Sequence, residues 1–168
     1  DKASARSSIT LSEELQFWTS HPTTLRYRFA QTKAVTEEAS FTTHSAIWEQ
    51  LINRGDYSIF TYTAFDINTY LENESSNTNI FTIRGDLILP TLWSLFNPNF
   101  FVSSVMTNHL KDTDRGVTSL YTYGFSLNRP IGQKLFATLN YSQESQTGES
   151  SSDVYSGSLL SFNIDYFY

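Results

Sequence analysis

The sequence predicts an all-β chain, an antiparallel up-and-down barrel of eight strands behind a short N-terminal arm or helix. Three observations predict it. From Thr24 onward apolar residues recur at every second position. Several of the segments reach ten residues or more, where strands of water-soluble domains usually run about five or six. Long polar connections also alternate with short ones along the chain. Composition agrees: of 168 residues, 39% are apolar, 15% are aromatic, and Ser, Thr and Asn together supply 54, which suits strands with one greasy and one small polar face. This much apolar residue excludes a disordered tail.

The arm is expected over residues 1–23. Asp1 to Ser8 is polar, with Lys2 and Arg6 and no apolar stretch behind them, so no signal peptide is expected at this end. Ser12 to Thr19 is the one candidate helix: Thr10 or Ser12 could cap it, Glu13 and Glu14 suit its first turn, and Leu15 and Trp18 share a face before His21-Pro22 ends it. A short strand or a loose arm is the competing reading of the same residues.

The barrel is expected over 24–168, with strands at 24–35, 38–52, 57–71, 78–89, 98–110, 116–128, 132–144 and 153–168. Leu25, Tyr27 and Phe29 oppose Arg26, Arg28 and Ala30 in the first of these. The second and third are the least regular, because Trp48, Glu49, Phe60 and Tyr62 do not alternate cleanly, and a bulge is one reading of that. In the fourth, Phe81, Ile83, Leu87 and Leu89 oppose Thr82, Arg84 and Asp86. The charge-free run Leu87 to Asn108 is long enough for a membrane helix, but Pro90 and Pro98 would each break its backbone bonds, so it is read as turn and strand. Tyr121, Tyr123, Phe125 and Leu127 alternate in the sixth strand, and Leu135, Ala137, Leu139 and Tyr141 in the seventh. The eighth ends the chain with Leu160, Phe162, Ile164, Tyr166 and Tyr168 on one face.

Of the seven connections, the first, third, fifth and seventh are polar: Thr36 to Glu38, Glu72 to Asn77, Lys111 to Gly116 and Ser145 to Ser152. The others are the tight turns at Asn53 to Asp56 and Asn128 to Gly132 and the apolar Thr91 to Asn97. Aromatic residues gather near the strand ends, with Tyr57, Trp93, Phe100, Tyr166 and Tyr168 toward the short turns and Tyr70, Phe81, Tyr141 and Tyr155 toward the polar loops. Two interfacial girdles would be placed in this way.

The ending Leu160-Ser161-Phe162-Asn163-Ile164-Asp165-Tyr166-Phe167-Tyr168 resembles the terminal strand of small bacterial outer-membrane β-barrels, which closes on an aromatic residue. Strand length and loop alternation from about residue 24 onward resemble them too; the seven glycines are fewer than such barrels often carry. The resemblance implies a transmembrane β-barrel of the bacterial cell outer membrane, with the polar loops outside and the short turns and N-terminal arm in the periplasm. It implies that Phe162, Ile164, Tyr166 and Tyr168 form the signal read by the barrel insertion machinery. Outer-membrane lipid and lipopolysaccharide are the implied partners, alongside room for a protein partner in a larger envelope complex. The expected role is structural, anchoring or surface-interacting.

On that reading Arg26, Arg28, Asp66, Arg84, Asp86, Lys134, Glu144 and Asp165 face the lumen, where they must pair and plug it. Two other classes of function compete. Some eight-stranded outer-membrane proteins are lipid A acyltransferases or deacylases using His, Ser and an acid; His44, Ser45, His109 and Asp112 are the candidates for that chemistry here, without a residue-by-residue motif match. A soluble β-barrel with the same period turned inside out would bind a small apolar ligand. With formal charge −6 and no basic stripe, nucleic acid is excluded as a partner. No cysteine, strict calcium loop, HExxH pair, phosphate loop or dinucleotide fingerprint is present, and no cofactor or metal is expected. Arg-Gly-Asp occurs at 54–56 and 84–86, where a hairpin turn and a strand explain it better than adhesion does.

Overall fold

The computed structural model describes residues 7–17, 21–33, 40–92, 95–112, 116–131, 135–149 and 154–166, the first of these segments by its backbone pairing alone. Nine antiparallel strands follow one another in a single sheet: β1 Ser7–Phe17, β2 Thr23–Lys33, β3 Phe41–Arg54, β4 Tyr57–Tyr70, β5 Thr78–Ile88, β6 Asn97–His109, β7 Val117–Ile131, β8 Leu135–Thr147 and β9 Tyr155–Tyr166. Sheet order is chain order throughout, and β1 and β9 are its two edges. The eight up-and-down strands expected from residue 24 onward are β2 to β9. Apart from one 3-10 turn at Glu74–Ser76, the described residues contain no helix.

Two expectations are corrected. Residues 12–17 lie in β1 rather than in a helix, held by an eleven-pair ladder with β2 from Ser7↔Lys33 to Phe17↔Thr23. A strand edge supplies a partner to every second backbone group, and that outweighs the weak local preference of two glutamates and a capping serine. The irregular pattern around Trp48 and Phe60 is no bulge either: β3 and β4 pair without a break from Phe41↔Tyr70 to Arg54↔Tyr57. Gly55 and Asp56 complete that hairpin, and Gly55 takes the left-handed φ of +60° that a two-residue turn requires.

Register assigns every strand residue to one of two faces. Leu25 pairs with Trp48, Phe65 with Phe81, Leu87 with Phe100, and Phe125 with Tyr141, and these ladders build an apolar face. Arg28, Ser45 and Asp66 fall in one row of the other face, Tyr62 and Arg84 in another. Among the described residues nothing is stacked on the sheet, so a residue in mid-strand is covered by its neighbours' side chains and by curvature of the sheet toward that side. The covered residues at the middle of β3 to β5 all belong to the polar face: Ser45 is 1% exposed, Ile47 6%, Ala64 1% and Asp86 7%. The sheet is therefore concave on its polar side. Ile47 and Ala64 are the only buried apolar residues among those described besides Pro98, whereas 28 large hydrophobic side chains stand more than a third exposed.

The connections sort by edge. Residues 34–40, 71–77, 110–116 and 148–154 join strands at one end of the sheet and are seven residues long each. At the other end the connections are 18–22, 55–56, 89–96 and 132–134.

Candidate functional site

The candidate site is the concave polar face of β2 to β6. It begins with small residues opposite long ones: Ser45 lies between Arg28 and Asp66 in the register, Ala64 between Ile47 and Thr82. Small side chains in the middle of a curved face leave room for the guanidinium groups beside them. Arg28 donates from Nη2 to Ser45 Oγ at 3.2 Å and stands 3.9 Å from Asp66 Oδ1. Arg26 reaches Glu49 at 3.4 Å. Arg84 holds Asp86 with both ends of its fork, Nε to Oδ2 at 2.7 Å and Nη2 to Oδ1 at 2.8 Å, and Asn99 Nδ2 donates to the same Oδ1 at 3.4 Å. The three arginines and three carboxylates cancel within one patch, and the bidentate pair is the strongest contact in it. Between Glu49, Tyr62, Arg84, Asp86 and Asn99, with Phe60 and Ile88 completing the wall, lies a cavity of about 420 Å³. Asp66 Oδ1 and Asn99 Oδ1 are buried without a hydrogen-bond donor.

Of the eight charges expected in the lumen, the structure thus brings together Arg26, Arg28, Asp66, Arg84 and Asp86. Glu144 and Asp165 lie on the same face of β8 and β9 but are exposed, with no ion pair among the described residues. Lys134 lies outside the described residues. Glu49 and Asn99 belong to the cluster and were not singled out in the sequence. Glu49 carried no clear signal in the sequence, because Trp48, Glu49 and Gln50 break the alternation; in the structure Trp48 is exposed on the apolar face and its neighbour turns to the other.

The candidate catalytic residues are not assembled. Ser45 faces the polar side, whereas His44 faces the apolar side, where Tyr27 Oη lies 2.7 Å from its Nδ1 and the Phe29 ring centroid 5.0 Å away. His109 closes β6, with two strands between it and His44, and its backbone N–H donates to Gly116 O. Asp112 accepts the Gly116 N–H through its backbone carbonyl. Among the described residues no group of His, Asp and Glu is placed to hold a metal. Phe162, Ile164 and Tyr166 stand in one row of β9, paired with Leu139, Ala137 and Leu135; Tyr168 lies outside the described residues.

At the seven-residue ends, charge accumulates. Those four connections contain eight acidic and two basic residues, a balance of −6 that equals the formal charge of the whole chain, so the remainder is neutral. Lys111 and Glu74 form an ion pair across two of them, and the Lys111 hydrogen bond, reinforced by its charge, holds the Glu74 carboxyl below its ordinary value.

No protein-family model matches the chain, and neither a curated protein nor a solved structure matches it significantly.

Proposed function

We propose that this chain is the wall of a β-barrel in the bacterial outer membrane, with a structural or anchoring role and an interior plugged by its own ion pairs. One observation carries the reading. The partition of side chains is inverted relative to a water-soluble protein: the apolar face is the exposed one, and the covered mid-strand face carries Arg, Asp, Glu, Ser and Tyr beside Ile47 and Ala64. Contiguous apolar patches beyond a few hundred Å² are rare on soluble monomers, and here such a face runs across β2 to β9. Hydrocarbon supplies the missing partner without any further protein. Strands of 11 to 15 residues are long enough to cross a bilayer at the tilt barrels adopt.

In lipid the sheet must close, since unpaired edge groups cost several kcal/mol each there. In an up-and-down order of nine, β1 and β9 run parallel, whereas β2 and β9 run antiparallel. Closure of β9 onto β2, with β1 released as a periplasmic arm, keeps every neighbouring pair antiparallel. Eight strands leave an interior just wide enough for side chains, which the arginine–carboxylate patch fills.

The experiment is reconstitution. Folded from urea into phospholipid vesicles, the protein is expected to migrate differently in SDS gels before and after boiling, and to give small or no conductance in planar bilayers. A folded monomer in buffer without surfactant would refute the membrane reading; large stable porin-like steps would refute the plugged interior.

A further inference from the structure

On the apolar face of β2 to β9 the only charged residues are Lys33, Arg54 and Arg129, all basic and all at strand ends. Arg54 and Arg129 mark the short-turn end. Arg129 is exposed and has no ion pair among the described residues; its guanidinium carbon sits 5.5 Å from the centroid of the Phe96 ring. A guanidinium stacked on a ring keeps its N–H edge free for an oxyanion. Directly across the ladder from Arg129 stands Ala137, and the small side chain opens a hollow of about 300 Å³ bordered by Leu127, Leu139, Ile131 and Phe162. A cationic rim thus overhangs an apolar trough, on a protein whose opposite end holds all its net negative charge.

The connection beside this hollow is equally unusual for a loop in water. Residues 89–96 (Leu-Pro-Thr-Leu-Trp-Ser-Leu-Phe) hold no charge, and Leu92 and Leu95 are exposed. Leu92 and Phe96 exchange backbone hydrogen bonds of 2.8 and 3.2 Å, which fixes Phe96 under Arg129. An uncharged connection pinned by these bonds suits the boundary between headgroups and acyl chains.

We propose that the Arg129–Ala137 hollow is a binding site for an anionic phospholipid, with the headgroup phosphate on the Arg129 guanidinium and an acyl chain lying over Ala137 against Leu127, Leu139 and Phe162. The proposal rests on the membrane reading and adds to it a lipid class and a leaflet, the one at the short-turn end.

The test uses protein already folded in zwitterionic micelles, its fold verified by heat-modifiable migration. Phosphatidylglycerol and phosphatidylcholine are offered in equal amounts and retained lipid is read by native mass spectrometry. Phosphatidylglycerol is expected to be retained preferentially. Arg129→Gln, an exposed change that spares the fold, should cut that preference about fivefold, the usual effect of one basic residue at an anionic surface. Arg129→Lys should restore most of it, and Ala137→Leu should lower retention of both lipids by filling the trough. Equal retention of the two lipids, an unchanged preference in Arg129→Gln, or loss of the lipid to millimolar inorganic phosphate would each overturn the site while leaving the barrel standing. Failure to fold in any micelle would overturn the barrel and the site together.

Discussion

Asp86 shows how a carboxylate is kept under cover on this sheet. Its side chain is nearly inaccessible, and it is satisfied by a two-point contact from Arg84, whose own side chain is half exposed. Breaking such a pair costs more than the pair contributes, because the carboxylate stays behind without its partner. Arg84→Ala should lower unfolding free energy by about 1–2 kcal/mol after allowance for the solvent around the guanidinium, read as a shift in the urea midpoint of the vesicle-folded protein. Arg26→Ala should cost less, since Arg26 and Glu49 are 34% and 26% exposed and 3.4 Å apart. Arg84 and Asp86 were legible in the sequence because they alternate with Ile83 and Leu87; Glu49 was hidden because Trp48, Glu49 and Gln50 break the alternation, and only register pairs it with Arg26's neighbour Thr24. The separation of His44 from Ser45 was legible too, since adjacent strand residues point to opposite faces.

Among the strands, β6 to β8 are fitted around one glycine. A β-carbon at Gly124 would clash with the Tyr141 carbonyl oxygen and fall 2.9 Å from both Ser142 Cα and Phe101 Cζ. Phe101 pairs with Gly124 and lies over the space it leaves, on the polar face next to Arg84, whose guanidinium carbon is 5.6 Å from the Phe101 ring. At Gly85, on the apolar face of β5, the nearest atom to such a carbon is Val102 Cγ1 at 3.9 Å. Gly124→Ala should therefore destabilise by about 1–3 kcal/mol, as crowding of a packed position does, whereas Gly85→Ala should be neutral or slightly stabilising; thermal midpoints of the two variants in detergent give the comparison. The element that sequence reading left undecided is β1. Ile9, Leu11, Leu15 and Phe17 keep the period of two, but Glu13 interrupts it, and two acids after a serine imitate a helix start. Which reading prevails depends on the edge of β2, a partner that no local pattern contains.

At the scale of the whole molecule, the charge partition and the two free edges belong together. On the proposed membrane reading, a sheet with one greasy face, a self-neutralised patch on its polar face and an acidic rim closes its edges and turns its apolar face to lipid. For closure of β9 onto β2, a cysteine at Asn163 should form disulfides with cysteines placed along β2 once the protein is in vesicles, and none with cysteines along β1; disulfides to β1 would instead establish nine-strand, parallel closure. Face assignment was almost wholly legible in the sequence from Leu25 onward, but its sense was not, because a period of two is the same seen from either side. The structure orients it through the exposure of residues such as Trp48 and the cover over Asp86. Trp48 therefore provides the most direct measurement. With Trp18 and Trp93 replaced by Phe, Trp48 is the only indole left, and in vesicles of lipid brominated along the acyl chain its emission should be blue-shifted and strongly quenched. Unquenched, water-like emission from the folded protein would place that face in solvent and contradict the account.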